Sequence, residues 1–418
     1  MQNVLIKRQI VEKIKNNLEN EEIILILGPR QVGKTTTLRI IEKYLNDKKK
    51  KVFFFNLDIF SDKEALLDQK QFIDFLKKNS QKEKIYVLID EIQRLSEPGV
   101  YLKGIFDSQL NCKLIVSGSS SLEIKSKIVE PLTGRKKVFY LYPLSFEEFL
   151  TFKEPDLLLF QPLKNIYFQK LKLYLDDYIK YGGYPKVVLK DEEKEKIEVL
   201  EEIYSSYIEK DIRGFFNVKN ETSFSKLVLI LASSLGEIIN KDFISSSIGS
   251  NRQTCDNYIH YLEKSFVIKI IRPFFSNPKK EIIKMPKVYF YDLGLRNLLI
   301  KNFTSFFIRQ DKGVLFENFV LNILEKDYQP LKKINFWRNR LSSAEVDFVI
   351  QKGEEIIPVE LKASLLKKPI YSKSMRSFIK TYQPKQAFVV NLNLNHEEKI
   401  EKTLVKTFPF WQLSLIDY

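Results

Sequence analysis

Short runs of consecutive apolar residues, separated by stretches of helical length with one apolar face, dominate the first 150 residues. The runs are Ile23 to Leu27, Val52 to Leu57, Ile85 to Ile89 and Leu114 to Val116. Runs so short and apolar throughout predict strands buried on both faces of a parallel α/β sheet, placing one domain over 1–150. From 151 to 222 the pattern changes to long helical periods rich in Leu, Tyr, Lys and Glu, broken at Gly182-Gly183-Tyr184-Pro185, and predicts a helical lid. Three short helical periods from Phe224 to about Arg272 end in the apolar run Phe266 to Ile271, and Phe274 to Tyr291 supplies a second extended stretch. Three helices and a β-hairpin predict a winged helix over 223–300. After a linker near Lys301 to Lys312, a helix from Leu315 to Asp327 precedes strands at Ile334 to Trp337, Glu345 to Ile350, Ile356 to Leu361 and Gln386 to Leu392. These predict a second α/β domain over 305–418.

Composition narrows the class. A chain of 418 residues with 44% hydrophobic residues can bury real cores, which excludes disorder. Two cysteines, Cys112 and Cys255, make neither a disulfide framework nor a zinc site, so a reducing compartment is expected. No apolar run approaches the roughly 20 residues of a membrane span, and the first residues lack a signal-peptide core; a cytoplasmic protein without a membrane partner is expected. The net charge of +15 points to a polyanionic partner, although lysine-rich coding produces the same balance.

The sharpest motif is Gly28-Pro29-Arg30-Gln31-Val32-Gly33-Lys34-Thr35, which matches G-x-x-x-x-G-K-[ST] between a predicted strand and a predicted helix. Its glycines let main-chain N–H groups converge on phosphates, Lys34 brings a point charge to the β- and γ-phosphates, and Thr35 brings a hydroxyl to Mg²⁺, with Thr36 behind it in the first helical turn. The chemistry is that of ATP with Mg²⁺. The strand ending in Asp90 and Glu91 sets two acids at its carboxyl edge, Asp90 to hold Mg²⁺ through water and Glu91 to polarise the attacking water. At Ser117-Gly118-Ser119-Ser120-Ser121, Ser117 offers a hydroxyl to the γ-phosphate, or the segment is a plain turn. Arg135, after Thr133-Gly134, is placed as an arginine finger or a γ-phosphate sensor, with Arg213 behind it as a candidate.

Taken together, GPRQVGKTT, LIDEIQ, SGSSS, LTGR, PLSFEEF, YGGYP and YIEKDI resemble the prokaryotic AAA-type, STAND-like ATPases fused to a C-terminal domain of unknown function, over nearly the whole chain from about Arg8. The resemblance implies ATP binding, a winged helix and a C-terminal domain similar to PD-(D/E)xK nucleases. It also implies that a Gly-x-Pro segment at the lid touches the adenine; the matching string is Gly183-Tyr184-Pro185, which a turn without ligand explains as well.

In the last domain, alternation along Glu345-Val346-Asp347 and Glu360-Leu361-Lys362 sets Glu360 and Lys362 on one strand face, and a hairpin across Gly353 brings Asp347 near them. Two carboxylates and a lysine suit metal-dependent phosphodiester hydrolysis; the same alternation is also an ordinary exposed hairpin. The spacing looks like the PD-(D/E)xK signature, with Ala344-Glu345-Val346 standing where its proline would be, and Glu317 resembles the additional acid of such enzymes. Metal ligation by Glu317, Asp347 and Glu360 is the corresponding expectation. From Leu361 to His396 the chain carries Lys362, Lys367, Lys368, Lys373, Arg376, Lys380 and Lys385 with no acid, and Tyr371, Phe378 and Tyr382 among them, a pattern fit for phosphates or for a solvated helix face. On the expected wing, Lys279, Lys280, Lys284 and Lys287 are further phosphate contacts. The leading expectation is an ATP-hydrolysing switch acting on nucleic acid, DNA foremost, with assembly into homo-oligomers if an arginine acts in trans. The alternative is a STAND-like signalling ATPase whose inactive nuclease-like domain docks a protein partner.

Overall fold

The computed structural model describes residues 5–119, 128–157, 165–206, 220–275, 284–325, 332–339 and 344–415. They fall into two compact units. The first comprises Met1–Tyr167, Gly183–Lys219 and Ile259–Val267, the second Phe168–Gly182, Asn220–Tyr258 and Ile268–Tyr418. The stretch expected as a lid therefore contributes to both.

The first unit is built on strands β1 (Ile23–Gly28), β2 (Lys51–Asn56), β3 (Ile85–Asp90), β4 (Cys112–Ser119) and β5 (Lys136–Tyr140). Their order is β2-β3-β4-β1-β5 and every pairing is parallel. All six residues of β1 and of β3 are buried, as continuous Ile, Leu and Val runs require when both sheet faces are covered. Ile23, Leu25 and Leu27 point into a core with Val87, Ile89, Val116, Phe72 and Leu102, and alternation turns Ile24 and Ile26 to the other face. Helix Lys34–Asp47 packs on the sheet through Leu38, Ile41 and Leu45. The apolar runs predict four of these strands. The fifth, Lys-Lys-Val-Phe-Tyr, escapes them because it is an edge strand with two lysines at its start.

In the second unit, helices Glu221–Ser233, Lys241–Ser247 and Arg252–Lys264 lead to an antiparallel pair, β6 (Ile268–Ile271) and β7 (Lys287–Phe290). A mixed six-stranded sheet follows, from β8 (Lys332–Arg338), β9 (Glu345–Lys352), β10 (Glu355–Leu361), β11 (Gln386–Asn391), β12 (His396–Ile400) and β13 (Thr403–Pro409), in the order β12-β13-β11-β10-β9-β8. The expected hairpin is β9–β10, antiparallel with Ile357 opposite Ile350, and Gly353 turns it at φ 61°. Helix Lys373–Tyr382 makes the crossover between the parallel strands β10 and β11. Of the expected linker near 301–312 little remains as a spacer. Phe306 is fully buried, Asp311 accepts from Arg309 at 2.7 Å and Arg296 at 2.8 Å, and Asp176 accepts from Phe306 N at 2.6 Å. Those bonds hold the segment between two helices. No helix among the described residues is long and apolar enough to cross a membrane, and Cys112 and Cys255 are free.

Candidate functional site

Residues 28–35 carry β1 directly into helix Lys34–Asp47 at the carboxyl edge of the parallel sheet, where open α/β sheets take their ligands. Gly28 is forced: a Cβ there would lie 2.0 Å from the Leu141 carbonyl oxygen. Gln31 and Gly33 both hold left-handed backbone, φ 60° and 93°, and Gly33 is the helix N-cap. Pro29 and Val32 are buried, Arg30 is half-buried, and Thr35 and Thr36 are exposed on the first turn. Lys34 Nζ donates to the carbonyls of Gly28, at 3.2 Å, and Pro29, at 2.9 Å, so its ammonium lies across the loop. A loop curled by left-handed residues at a helix start, with an ammonium over it, has the geometry and charge to cradle phosphates. Gly28→Ala is expected to cost about 1–3 kcal/mol of stability by pushing the loop off Leu141, measured by denaturant unfolding.

Two acids meet this loop from β3. Asp90, the last residue of the strand and buried, accepts from the Thr35 hydroxyl at 2.5 Å and from the Ser117 hydroxyl at the end of β4. Ser117 is thus turned to Asp90, and its oxygen also receives Glu91 N at 3.4 Å. Glu91 is left-handed, φ 57°, and its carboxylate accepts from the Gln93 side-chain amide. Gln93 was not among the expected site residues, although LIDEIQ contains it. A Cβ on Gly118 would sit 3.2 Å from Gln93 Oε1.

Arg135 differs from expectation in its place. Its carbonyl receives Ile23 N at the amino end of β1, and β5 runs parallel to β1 from there. At about 3.3 Å per residue, Arg135 lies some 15 Å or more from the loop at the far end of β1. It bonds Asp107 at 2.7 Å. The parallel register thus sets Arg135 at the end of the sheet opposite the loop, away from the nucleotide position expected for it. Pro185 opens the short helix Pro185–Val188 as its first residue. Gly183 packs on Leu144: its carbonyl accepts from Leu144 N at 2.7 Å, and a Cβ at Gly183 would lie 2.3 Å from Leu144 O. Arg213, the YIEKDI string, Lys279 and Lys280 lie outside the described residues.

A buried ion network beneath the loop was missed. Arg8 donates to Glu148 at 3.2 Å, to Val32 O at 2.8 Å and to Tyr142 O at 2.7 Å. Glu148 also accepts from Gln9 N and from Ser145 N, closing a capping box on helix Phe146–Lys153. The S-x-x-E spacing at Ser145 was the available signal for half of it; nothing local marks Arg8.

In the second unit, the predicted carboxylates gather but each has a partner. Glu360 pairs with Lys362 at 2.6 Å and accepts from Ser372 N and Oγ at 3.2 and 3.0 Å. Asp347 accepts from Leu361 N at 2.7 Å. Burial, and next the charge of Glu317, push the Asp347 carboxyl up to about 8. Glu317 accepts from Tyr289 and from Lys287 at 3.2 Å. Lys287, expected as an exposed phosphate contact, is instead buried, as are all four residues of β7, and ion-paired to Glu317 and Glu345. Lys284 is exposed. Among the described residues, no three His, Cys, Asp or Glu side chains form a group that could hold a metal ion, so the expected trio of Glu317, Asp347 and Glu360 is not assembled as ligands.

Residues 20–150 match the family model described as AAA domain. Residues 172–305 and 312–413 match two models described as domains of unknown function, DUF8612 and DUF4143. The chain is 27% identical over 356 residues to an uncharacterized protein of Haemophilus influenzae, covering 82% of this chain and 83% of the relative. It is 26% identical over 429 residues to one of Methanocaldococcus jannaschii, covering 98% and 92%. Among solved structures it is similar to a replication initiator DnaA bound to AMPPCP and single-stranded DNA, with 17% identity, TM-score 0.33, and 62% of this chain and 90% of that one covered. A RuvB from Thermotoga maritima gives 15% identity, TM-score 0.33, and coverage of 63% and 89%. Residues 20–150 thus match an AAA domain, upstream of two segments that match domains of unknown function.

Proposed function

We propose that the chain binds and hydrolyses ATP at the loop of residues 28–36 and uses the nucleotide state to control nucleic-acid binding by its C-terminal half. The observation that carries the first part is the chain Thr35–Asp90–Ser117 beside Lys34, which brings the ends of β1, β3 and β4 to one point. Main-chain N–H groups of 31–35 would bind the β- and γ-phosphates, and Lys34 would exchange its two carbonyl partners for phosphate oxygens. Thr35 and Asp90 offer adjacent oxygens of the hard type that Mg²⁺ prefers, and the ion would neutralise charge between the phosphates. Glu91 would orient the attacking water once it leaves Gln93. Arg135, remote from its own loop, would act only on the nucleotide of another copy. An ATPase assay with and without duplex, single-stranded and branched DNA tests the reading. The expected result is Mg²⁺-dependent turnover that DNA changes; no Mg²⁺-aided affinity for adenine nucleotides overturns it.

For the second part, the support is charge on the C-terminal sheet's crossover. Lys373, Arg376 and Lys380 are exposed along helix Lys373–Tyr382, Lys367 and Lys368 are exposed just before it, and the Arg376 guanidinium stands 5.8 Å over the Tyr371 ring. With the helices and β-hairpin of 223–300 read as a winged helix and the six-stranded sheet as a nuclease-like fold, these residues form a phosphate-facing surface. Neutralising Lys367, Lys368 and Arg376 together is expected to reduce the salt slope of DNA binding by about 2–3 in log–log terms. Fluorescence anisotropy against salt measures it, and DNA binding without salt dependence in the parent chain would favour a protein partner instead.

A further inference from the structure

The acids of the second unit surround an ammonium. Lys287 Nζ lies 3.2 Å from Glu317 Oε1 and 2.6 Å from Glu345 Oε1, with the Phe336 ring centre at 5.2 Å, and its side chain is 5% exposed. Tyr289, on the same face of β7, donates its hydroxyl to the oxygen of Glu317 that Lys287 holds.

The remaining charges also close internally. Glu360 has Lys362, and Glu345 has Arg338 at 3.7 Å besides Lys287. Asp347 accepts from Leu361 N at 2.7 Å. Glu317, Glu345 and Glu360 are thus each ion-paired within the chain itself. A divalent ion needs deprotonated oxygen ligands converging on one point. Here one oxygen of Glu317 and one of Glu345 already converge on the Lys287 ammonium, which would repel such an ion. The acids expected as metal ligands therefore do not fit a metal in this arrangement.

We infer that Lys287 is the resident cation of this acid cluster, taking the charge-neutralising place that a divalent metal holds in metal-dependent phosphodiester hydrolysis, so that the C-terminal domain holds nucleic acid without cutting it. The last clause rests on the nucleic-acid reading above; the cation assignment does not.

Mn²⁺ is the probe. Its binding to the full-length chain, without nucleotide, is measured by electron paramagnetic resonance for the parent, Lys287→Met, Glu317→Gln and the double variant. Any weak site at the nucleotide loop is common to all four. The expected result is equal Mn²⁺ binding by the parent and Glu317→Gln, and one additional site in Lys287→Met, at least tenfold tighter than the background, that Glu317→Gln removes. Mn²⁺ binding or DNA cleavage by the parent that Glu317→Gln abolishes overturns the inference, as does a folded Lys287→Met without a new site. Should Lys287→Met not fold, the comparison of parent with Glu317→Gln still decides. Since nucleotide is absent throughout, failure here is distinct from failure of the ATPase reading.

Discussion

Lys34→Ala should lower ATP turnover by roughly 10²–10³-fold, the range seen when one preorganised donor to developing charge is removed. The ammonium lies across the loop, bonded to Gly28 O and Pro29 O. Its removal leaves main-chain N–H groups and the helix terminus to bind phosphate, so affinity falls less than turnover. Alanine is a good helix former at the first helical position, and the buried face formed by Leu38, Ile41 and Leu45 is untouched. The thermal midpoint should therefore stay close to that of the parent, which separates lost chemistry from lost fold. Turnover is read by phosphate release and affinity by titration with a fluorescent nucleotide. Hydrolysis retained by a folded Lys34→Ala chain would remove the nucleotide-loop assignment.

Arg8→Ala should be the most destabilising single change in the first unit, at about 3–5 kcal/mol, because it strips the partner from a buried carboxylate. Both members of the Arg8–Glu148 pair have side chains 8% exposed. The guanidinium fork also ties Val32 O in the loop to Tyr142 O beyond β5, so its loss should weaken nucleotide binding at a distance. Arg8→Lys keeps the charge and loses the fork, and should recover part of the stability with little of the nucleotide affinity. Denaturant unfolding of Arg8→Ala, Glu148→Gln and the double variant measures the coupling. A loss under about 1 kcal/mol for Arg8→Ala, the range of exposed pairs, would show that the network does not hold the loop.

What was readable in the sequence followed from burial. Ile23 to Leu27 and Ile85 to Ile89 are apolar because sheet faces cover both sides, and the motif at Gly28–Thr35 depends on local backbone geometry, so both could be read from neighbours in the chain. Strands β5 and β12 could not, since Lys136-Lys137 and His396-Glu397-Glu398 place charge on sheet edges where it is tolerated. The partners of Arg8 and Lys287 are set by contacts 140 and 30 residues away in the chain. No periodicity encodes such pairings. Lys287 shows the limit well: a lysine beside three apolar neighbours reads as a solvent-facing strand position, and only Glu317 and Glu345 turn it inward. Arg135 was readable as a mobile arginine near Gly134 but not as one at the amino edge of the sheet, because that depends on strand order.

In the trans role proposed above, the position of Arg135 would also constrain assembly. An arginine at one end of the sheet that serves a triphosphate at the opposite end of another copy joins unlike faces, and each added copy presents the same unlike faces again. Such growth closes as a ring when the rotation allows and otherwise continues as a filament, so nucleotide-dependent association should appear as a series of masses rather than as a two-fold pair.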